Sequence, residues 1–318
     1  MGLVRVPTVS RFLLHFYSCR DRGLTPCPKH AWDMVSDPCP KTFCLGQGSD
    51  TGVPGNRRRD MTGKRIVVKV GTSTLTYATG HLNIRRVEKI VKTIADLQNA
   101  GNQMILVSSG SIALGMSKIG LRERPKDTPG KQACAAVGQC ELMDMYDKQF
   151  SEYGVTVAQL LLTKYVLLED RRRNVENAMA KLIELGVIPI VNENDTVAID
   201  ELELEVGEND SLAAIVASVA KADTLVIMSD IDGLYDKDPH KYEDAKLIEE
   251  VHGITDEIRA LAGGAGSKLG TGGMATKLKA ASIANENGID MVIINGDKPE
   301  LLYEVSEDKK AGTRFFAG

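Results

Sequence analysis

Three glycines and a lysine stand close together in residues 270–277, which read GTGGMATK. Glycine lets a backbone approach a ligand closely, and a lysine ammonium group neutralises negative charge, so the segment suits phosphate oxygens. Its residue order differs from the G-x-x-x-x-G-K-[ST] loop of P-loop nucleotide-binding proteins. A mobile surface loop that carries a solvated Lys277 is the alternative interpretation.

Other polar residues follow apolar runs that resemble strands. Lys69 and Gly71 end one such run and offer a cation and exposed backbone N–H donors. Ser109 follows the next run, where it could cap a helix or direct N–H groups at an anion. Asp195 and Asn209 lie in two clusters of amide and carboxylate side chains, Asn-Glu-Asn-Asp and Gly-Glu-Asn-Asp. We expect these clusters to bind a zwitterion whose ammonium group donates to Asp195, although turns also favour Asn and Asp.

Ser229 and Asp230 follow a further apolar run, in the sequence SDIDGLY. A carboxylate at a strand end could orient the lysines or reach a magnesium ion. The next aspartate, Asp232, precedes a glycine and is typical of a turn.

Histidine is scarce after residue 60, where only His81, His240 and His252 occur, none of them at a predicted strand end. No Ser-His-Asp set, C-x-x-C or H-E-x-x-H sequence is available, which argues against hydrolase and metalloprotease chemistry. A dehydrogenase is disfavoured because G-x-G-x-x-G is missing after the first strand. Lysines, glycines and carboxylates without a general base fit phosphoryl transfer to a carboxylate, which is ionised at neutral pH because its pKa is about 4.3.

The elements that must position these residues alternate between strand and helix from Met61 onward. Strands are predicted at residues 64–70, 104–107, 155–162, 187–191, 224–228 and 290–294, helices at 84–97, 131–152, 174–185, 211–220, 274–286 and 299–305, and a hairpin near 197–206. Repeated βα units predict an α/β fold, a three-layer αβα arrangement around a doubly wound, mostly parallel sheet. Ligands bind beyond the carboxyl ends of the strands in such sheets, where the polar residues lie.

Composition narrows the class of protein. The 318 residues are 43% apolar and 26% charged with a net charge of −4, so neither nucleic acid nor an anionic membrane is an expected partner. No run of about 18 apolar residues occurs, so no membrane span is predicted. Beyond residue 60 only Cys134 and Cys140 remain, which suits the reducing cytoplasm.

Residues 1–60 differ in composition from the rest of the chain. They contain four of the six cysteines, the only tryptophan, nine Lys/Arg and five Asp/Glu, which leaves a net charge of −8 for the remainder. A targeting segment is disfavoured by its short apolar core, and zinc by the lack of a C-x-x-C pair. We expect a largely disordered, appended leader, with Met61 as the natural start of a catalytic domain that spans residues 61–318.

Six ordered motifs together resemble the amino acid kinase family, over residues 61–318. They are VVKVGTS (67–73), VSSGSIALG (107–115), VNENDTV (191–197), GENDSLAA (207–214), SDIDGLY (229–235) and GTGGMATK (270–277). Within the family they are similar to the members that phosphorylate the γ-carboxylate of L-glutamate with ATP in the first step of proline synthesis. The segments 131–139 and 159–164 resemble the same members.

The resemblance implies a role for each candidate residue. Lys69 and Lys277 would neutralise the phosphoryl group in transfer, and Asp230 would keep the lysines oriented. The implied ATP-binding residues are Lys69, Gly71, Ser229, Asp230, Thr271, Gly272, Gly273, Met274, Ala275, Thr276 and Lys277. The implied glutamate-binding residues are Ser109, Asp195 and Asn209. Mg²⁺ would be held mainly by ATP phosphates and water, so no protein ligand is assigned to it.

The resemblance also implies feedback inhibition by proline and a homo-oligomer, either a dimer or a tetramer. The sequence departs from the family pattern in three ways. We expect the C-terminal PUA domain of many members to be absent, Glu208 to replace an expected aspartate, and residues 1–60 to have no counterpart. The alternatives are another family member, acting on acetylglutamate, aspartate or a uridylate, and a non-catalytic amino-acid sensor.

Overall fold

The computed structural model describes residues 63–77, 79–163, 169–197, 209–239, 241–261 and 273–318. The predicted leader, Thr271, Gly272 and all but the first residue of the predicted hairpin lie outside these ranges. The strands within them are β1 (Arg65–Val70), β2 (Gln103–Ser108), β3 (Val157–Leu162), β4 (Ile188–Glu193), β5 (Thr224–Ser229), β6 (Glu250–His252), β7 (Asp290–Asn295) and β8 (Thr313–Phe316). The helices are α1 (Thr72–Leu75), α2 (Ile84–Asn99), α3 (Ser111–Ile119), α4 (Thr128–Ser151), α5 (Glu169–Glu184), α6 (Asn209–Ala220), α7 (Asp256–Leu261), α8 (Met274–Glu286) and α9 (Leu301–Ser306).

One sheet organises the described residues, with the strand order β3-β4-β2-β1-β5-β7-β8-β6. All pairs from β3 to β7 are parallel, β8 is antiparallel to β7, and β6 is parallel to β8. The predicted mostly parallel sheet is therefore confirmed. The chain builds outward from β1 on both sides, so β1 and β5 form a point where the strand order reverses and ligands bind beyond the carboxyl ends.

Helices cover both faces of the sheet, because the central strands carry apolar side chains on alternate sides. Val67 of β1 packs with α6 and α8 residues on one face, whereas Ile66, Val68 and Val70 pack with α2 and α4 on the other. The five residues after Arg65 in β1 are all buried, as expected for a strand between two helical layers. The predicted αβα layering is confirmed.

The sequence missed two short strands and shifted several boundaries. Strands β6 and β8 contain three and four residues, and strands this short leave no readable alternation. Helix α4 begins three residues before its predicted start, since the Asp127 side chain accepts from the Gly130 N–H at 2.8 Å and Pro129 lies in the first turn. Helix α8 spans the predicted residues 274–286.

Within the described ranges, the helices lack the combination of length and apolar character that crossing a bilayer requires.

Candidate active site

A buried carboxylate lies between the two lysines that the sequence selected. Asp210 Oδ1 is 2.6 Å from Lys69 Nζ, and Asp210 Oδ2 is 3.5 Å from Lys277 Nζ. The Thr276 hydroxyl also donates to Asp210 Oδ2 at 3.2 Å. The three ionisable residues are at most 8% exposed. The structure thus brings Lys69 and Lys277, which are 208 positions apart in the sequence, to one anionic group.

Three elements deliver these side chains to the same place. Lys69 is near the carboxyl end of β1, while Asp210 and Lys277 lie in the first turns of α6 and α8. Helices α6 and α8 pack against each other, and both contribute alanines to one buried core cluster: Ala213, Ala214, Ala217 and Ala220 from α6, and Ala280, Ala281 and Ala284 from α8. Small side chains allow helices to approach closely, so the two first turns can present their polar groups to each other.

The charges around Asp210 keep its carboxyl group ionised. Burial alone would raise its pKa, but the ammonium groups of Lys69 and Lys277 and the hydrogen bonds from Lys69 and Thr276 hold the pKa below its usual range. Asp210 also lies in the first turn of a helix, where the helix dipole favours a negative charge. The group is therefore suited to orient cations rather than to accept a proton at neutral pH.

Asp230, to which the resemblance gave the orienting role, differs from Asp210 in its surroundings. Asp230 is exposed after β5, and its Oδ1 accepts the Ser229 hydroxyl at 3.1 Å. Both lysines contact Asp210, which the sequence alone marked only as a member of the Gly-Glu-Asn-Asp cluster. Asp210 and Asp230 both lie at the carboxyl edge of the sheet. The packing of α6 against α8 is what brings Asp210 into contact with both lysines.

Some of the predicted ATP-binding residues adjoin this group. Gly71 directly follows β1, and a Cβ atom placed on it would lie 3.4 Å from Lys69 Nζ. Gly273, Met274, Ala275 and Thr276 form the start of α8, immediately before Lys277. Ser229 is buried at the end of β5, and its carbonyl oxygen accepts from the Gly296 N–H at 2.7 Å. The two lysine ammonium groups, the residue after β1 and the start of α8 therefore lie close together.

A second polar group adjoins the lysine cluster through the first residue of α6. Asn209 Nδ2 donates to Ser109 Oγ at 2.6 Å, to the Ser108 carbonyl at 3.0 Å and to Asn192 Oδ1 at 3.2 Å. Asn192, at the end of β4, donates in turn to Gln139 Oε1 at 2.8 Å. Ser109 and Asn209, both predicted to bind the amino acid, are thus in contact. Since Asn209 and Asp210 are consecutive, this amide group directly adjoins the lysines.

Asp195 is held nearby by α3. Its Oδ2 accepts the Ser111 hydroxyl at 2.9 Å. Burial raises the pKa of the Asp195 carboxyl group, and the Ser111 hydrogen bond and the charge of Arg124 oppose this rise without cancelling it. A partly buried carboxylate whose pKa is raised gains from a cationic partner, such as an ammonium group.

The comparisons with known proteins identify the family. A sequence profile described as the amino acid kinase family matches residues 64–295. The chain belongs to the amino acid kinase family. Glutamate 5-kinase from Clostridium perfringens (strain 13 / Type A) is 53% identical over 257 residues, which cover 80% of this chain and 96% of that protein. Glutamate 5-kinase from Lactococcus lactis (strain IL1403) is 47% identical over 262 residues, covering 81% and 97%.

Solved structures support the same fold. Carbamate kinase from Giardia lamblia bound to AMP-PNP superposes with a TM-score of 0.57 at 18% identity, covering 81% of this chain and all of that chain. UMP kinase from Ureaplasma parvum has a TM-score of 0.55 at 17% identity, covering 80% and 99%. At these identities the structures establish the fold alone. Family membership and the similar sequences identify this amino acid kinase as an enzyme that transfers a phosphoryl group.

Two glycines that sequence reasoning passed over determine how α3 packs against α4, beside Asp195. A Cβ atom on Gly115 of α3 would lie 1.8 Å from the Cys134 carbonyl oxygen, and one on Gly138 of α4 would lie 1.7 Å from the Ser111 carbonyl oxygen. Only glycine permits this approach of the two helix backbones. Ser111 thereby lies where its hydroxyl reaches Asp195. The pairing of two glycines on adjacent helices has no local sequence signal.

Within the described ranges no group of three His, Cys, Asp or Glu residues could hold a metal ion.

Proposed function

We propose that this amino acid kinase transfers the γ-phosphoryl group of ATP to the γ-carboxylate of L-glutamate, forming L-glutamyl 5-phosphate and ADP, the first step of proline biosynthesis. The observation that carries the proposal is the contact of Lys69 and Lys277 with Asp210, directly beside the Asn209–Ser109 pair. A phosphate-binding group and an amino-acid-binding group therefore share one helix turn.

The reaction needs no general base in this arrangement. A γ-carboxylate oxygen attacks the γ-phosphorus, the bond from that phosphorus to the bridging oxygen breaks, and its electron pair remains on ADP. Both reactants are already ionised, so catalysis consists of alignment and neutralisation of charge. Lys69 and Lys277 would bind the phosphoryl and bridging oxygens, and Asp210 would hold the two ammonium groups at the required separation.

Substrate recognition follows from the second polar group. Asp195 would accept from the α-ammonium group, while Ser109 and Asn209 would bind a carboxylate of glutamate. Gly71 and residues 271–276 would contact the phosphates of ATP through backbone N–H groups, with Ser229 and Asp230 at the border of the nucleotide pocket. Mg²⁺, when bound, would neutralise the β- and γ-phosphates, and it would be carried by ATP and water.

The proposal is tested by incubating the full chain with ATP, Mg²⁺ and one acceptor, trapping acyl phosphate as the hydroxamate and following ADP release in parallel. ADP release is the readout for a uridylate, because its product is a phosphoanhydride and forms no hydroxamate. Product is expected with L-glutamate and not with N-acetylglutamate, aspartate or a uridylate. Product with one of those acceptors alone would assign another kinase activity, and glutamate binding without turnover would indicate an amino-acid sensor.

A matched pair of variants in α8 tests the assignment of the lysine. Lys277→Met removes the buried ammonium group, and Lys279→Met removes an exposed one in the same helix. We expect Lys277→Met to lower kcat at least about 100-fold, with glutamate binding retained, and Lys279→Met to behave as wild type. Equal activity of the two variants would remove Lys277 from the mechanism.

Three further expectations belong to the same proposal. Proline, which shares the ammonium and carboxylate groups of glutamate, should inhibit competitively with glutamate through Asp195, which rate measurements at varied glutamate would show. A dimer or tetramer is expected from the family resemblance and is measured by sedimentation. The cytoplasm is the expected location because of the sparse cysteines after residue 60.

A further inference from the structure

Arg86 of α2 connects two loops at the carboxyl edge of the sheet. Its NH1 group donates to the Ser73 carbonyl at 3.0 Å and to the Thr74 carbonyl at 3.3 Å. Its NH2 group forms an ion pair with Asp297, in the loop after β7. The Arg86 side chain is 25% exposed, so the guanidinium group is partly withdrawn from water.

The carbonyl groups that Arg86 binds belong to a structure too short to be stable alone. Helix α1 is one turn of four residues after Gly71, and an isolated turn gains little from its few hydrogen bonds. The backbone N–H groups of Thr76 and Tyr77 donate to Thr72 and His81, and not to the carbonyls of residues 73 and 74. An arginine that satisfies the last carbonyls of a helix fixes that end of it.

The Asp297 side of the connection is itself fixed to the sheet. The Asp297 N–H donates to Asn295 Oδ1 at 2.9 Å, and Asn295 Nδ2 donates to Asp232 Oδ1 at 3.1 Å. The neighbouring Gly296 N–H donates to the Ser229 carbonyl at 2.7 Å, and a Cβ atom on Gly296 would lie 2.8 Å from Thr74 Cγ2. The loop after β7 therefore contacts the loop after β5, and Arg86 connects it to the turn after β1.

We propose that Arg86 is a positioning residue for nucleotide binding, which holds the turn after β1, and with it Gly71 and Lys69, in the conformation that receives ATP phosphates. Arg86 acts through the carbonyls of Ser73 and Thr74, and Asp297 directs its guanidinium group toward them. The inference rests on the proposed use of Lys69 and Gly71 for ATP, but it does not depend on which acceptor is phosphorylated.

The test measures the affinity for AMP-PNP with Mg²⁺ by calorimetry, followed by the KM values for ATP and glutamate. Arg86→Ala is expected to weaken AMP-PNP binding roughly tenfold and to raise the KM for ATP by a similar factor, with the KM for glutamate unchanged. Arg86→Lys should recover little, because an ammonium group cannot bind the two carbonyls and Asp297 in a fork. Arg85→Ala, at the exposed neighbouring position, is the matched control and should bind as wild type.

Asp297→Ala provides a second route if Arg86→Ala does not fold, since Asp297 is 60% exposed. It should weaken AMP-PNP binding by a smaller factor, and the double variant should be no weaker than Arg86→Ala. The proposal is overturned if Arg86→Ala binds AMP-PNP with an affinity within about twofold of wild type. It is also overturned if the KM values for ATP and glutamate rise equally and the Tm falls. Nucleotide binding without glutamate phosphorylation in the wild type would refute the proposed acceptor alone and leave this test intact.

Discussion

Asp210→Asn is the substitution that tests the lysine cluster most directly. At an effective dielectric constant of about 20, unit charges at the separations found here attract by about 6 kcal/mol for Lys69 and about 5 kcal/mol for Lys277. Much of that attraction offsets the desolvation of the buried groups. Removing one partner of a buried ion pair costs about 3–5 kcal/mol, and the remaining amide oxygen can still accept from Lys69.

We therefore expect Asp210→Asn to lower the free energy of unfolding by about 3 kcal/mol, which corresponds to a fall in Tm of roughly 6–12 °C for a domain of this size. ATP with Mg²⁺ should reverse part of that fall, because phosphate oxygens replace the lost negative charge. Without the carboxylate the lysine ammonium groups move relative to each other, and a displacement of about 1 Å costs roughly 100-fold in rate. The hydroxamate assay and thermal unfolding with and without ATP measure both effects.

The pH dependence of this stabilisation has a definite sign. The folded-state pKa of Asp210 lies below the usual value near 3.9, so its contribution is complete above that value and is lost as the pH falls toward the folded pKa. The difference in stability between wild type and Asp210→Asn should accordingly shrink below about pH 4.

Asp230→Asn is the comparison that can refute this reasoning. Asp230 is exposed and contacts Ser229, so its substitution should leave the apo Tm unchanged and reduce kcat far less than Asp210→Asn. If Asp230→Asn caused the greater loss of kcat, or if Asp210→Asn kept a kcat within about threefold of wild type, the carboxylate between the lysines would not be the orienting group.

Three further substitutions give separate tests. Asp195→Asn removes a carboxylate whose pKa is raised by burial, so the Tm at pH 7 should not fall. The KM for glutamate should rise roughly 10- to 100-fold. An unchanged KM would contradict the assignment of Asp195 to glutamate binding. Gly138→Ala places a Cβ atom 1.7 Å from the Ser111 carbonyl oxygen, so urea unfolding should show that the free energy of unfolding falls by about 1–3 kcal/mol. Glutamate binding should weaken as well. Wild-type stability would exclude the close crossing of α3 and α4. Tyr146→Phe removes a buried hydroxyl that lies 3.0 Å from Ser108 Oγ, and urea unfolding should show a loss of about 1 kcal/mol; no loss would mean that this hydrogen bond contributes nothing net.

Much of the site could be predicted from the sequence because a parallel sheet gathers its strand ends. Lys69, Ser109 and Ser229 each follow or end an apolar run, and the carboxyl ends of parallel strands share one edge. That rule places all three at the same edge of the sheet without any knowledge of the strand order. The family resemblance then supplied the roles, which no single motif carries.

The choice between carboxylates could not be made in the same way. Asp210 and Asp230 both lie at this edge, and a sequence contains no measure of the distance from either residue to Lys277. The decision depends on how closely α6 approaches α8, and that approach depends on alanines spread over both helices. The connection through Arg86 is equally non-local, since it joins residues 73, 86 and 297.

The sequence by itself determined the class of fold, the family and the edge of the sheet at which the chemistry occurs, because periodicity and strand-end polarity are local properties. Tertiary structure alone decided which carboxylate contacts the lysines, that α3 and α4 cross at Gly115 and Gly138, and that Arg86 binds the turn after β1. The physical reason is that contact energies at these sites depend on separations of a few ångströms between residues far apart in the chain, and helix packing sets those separations.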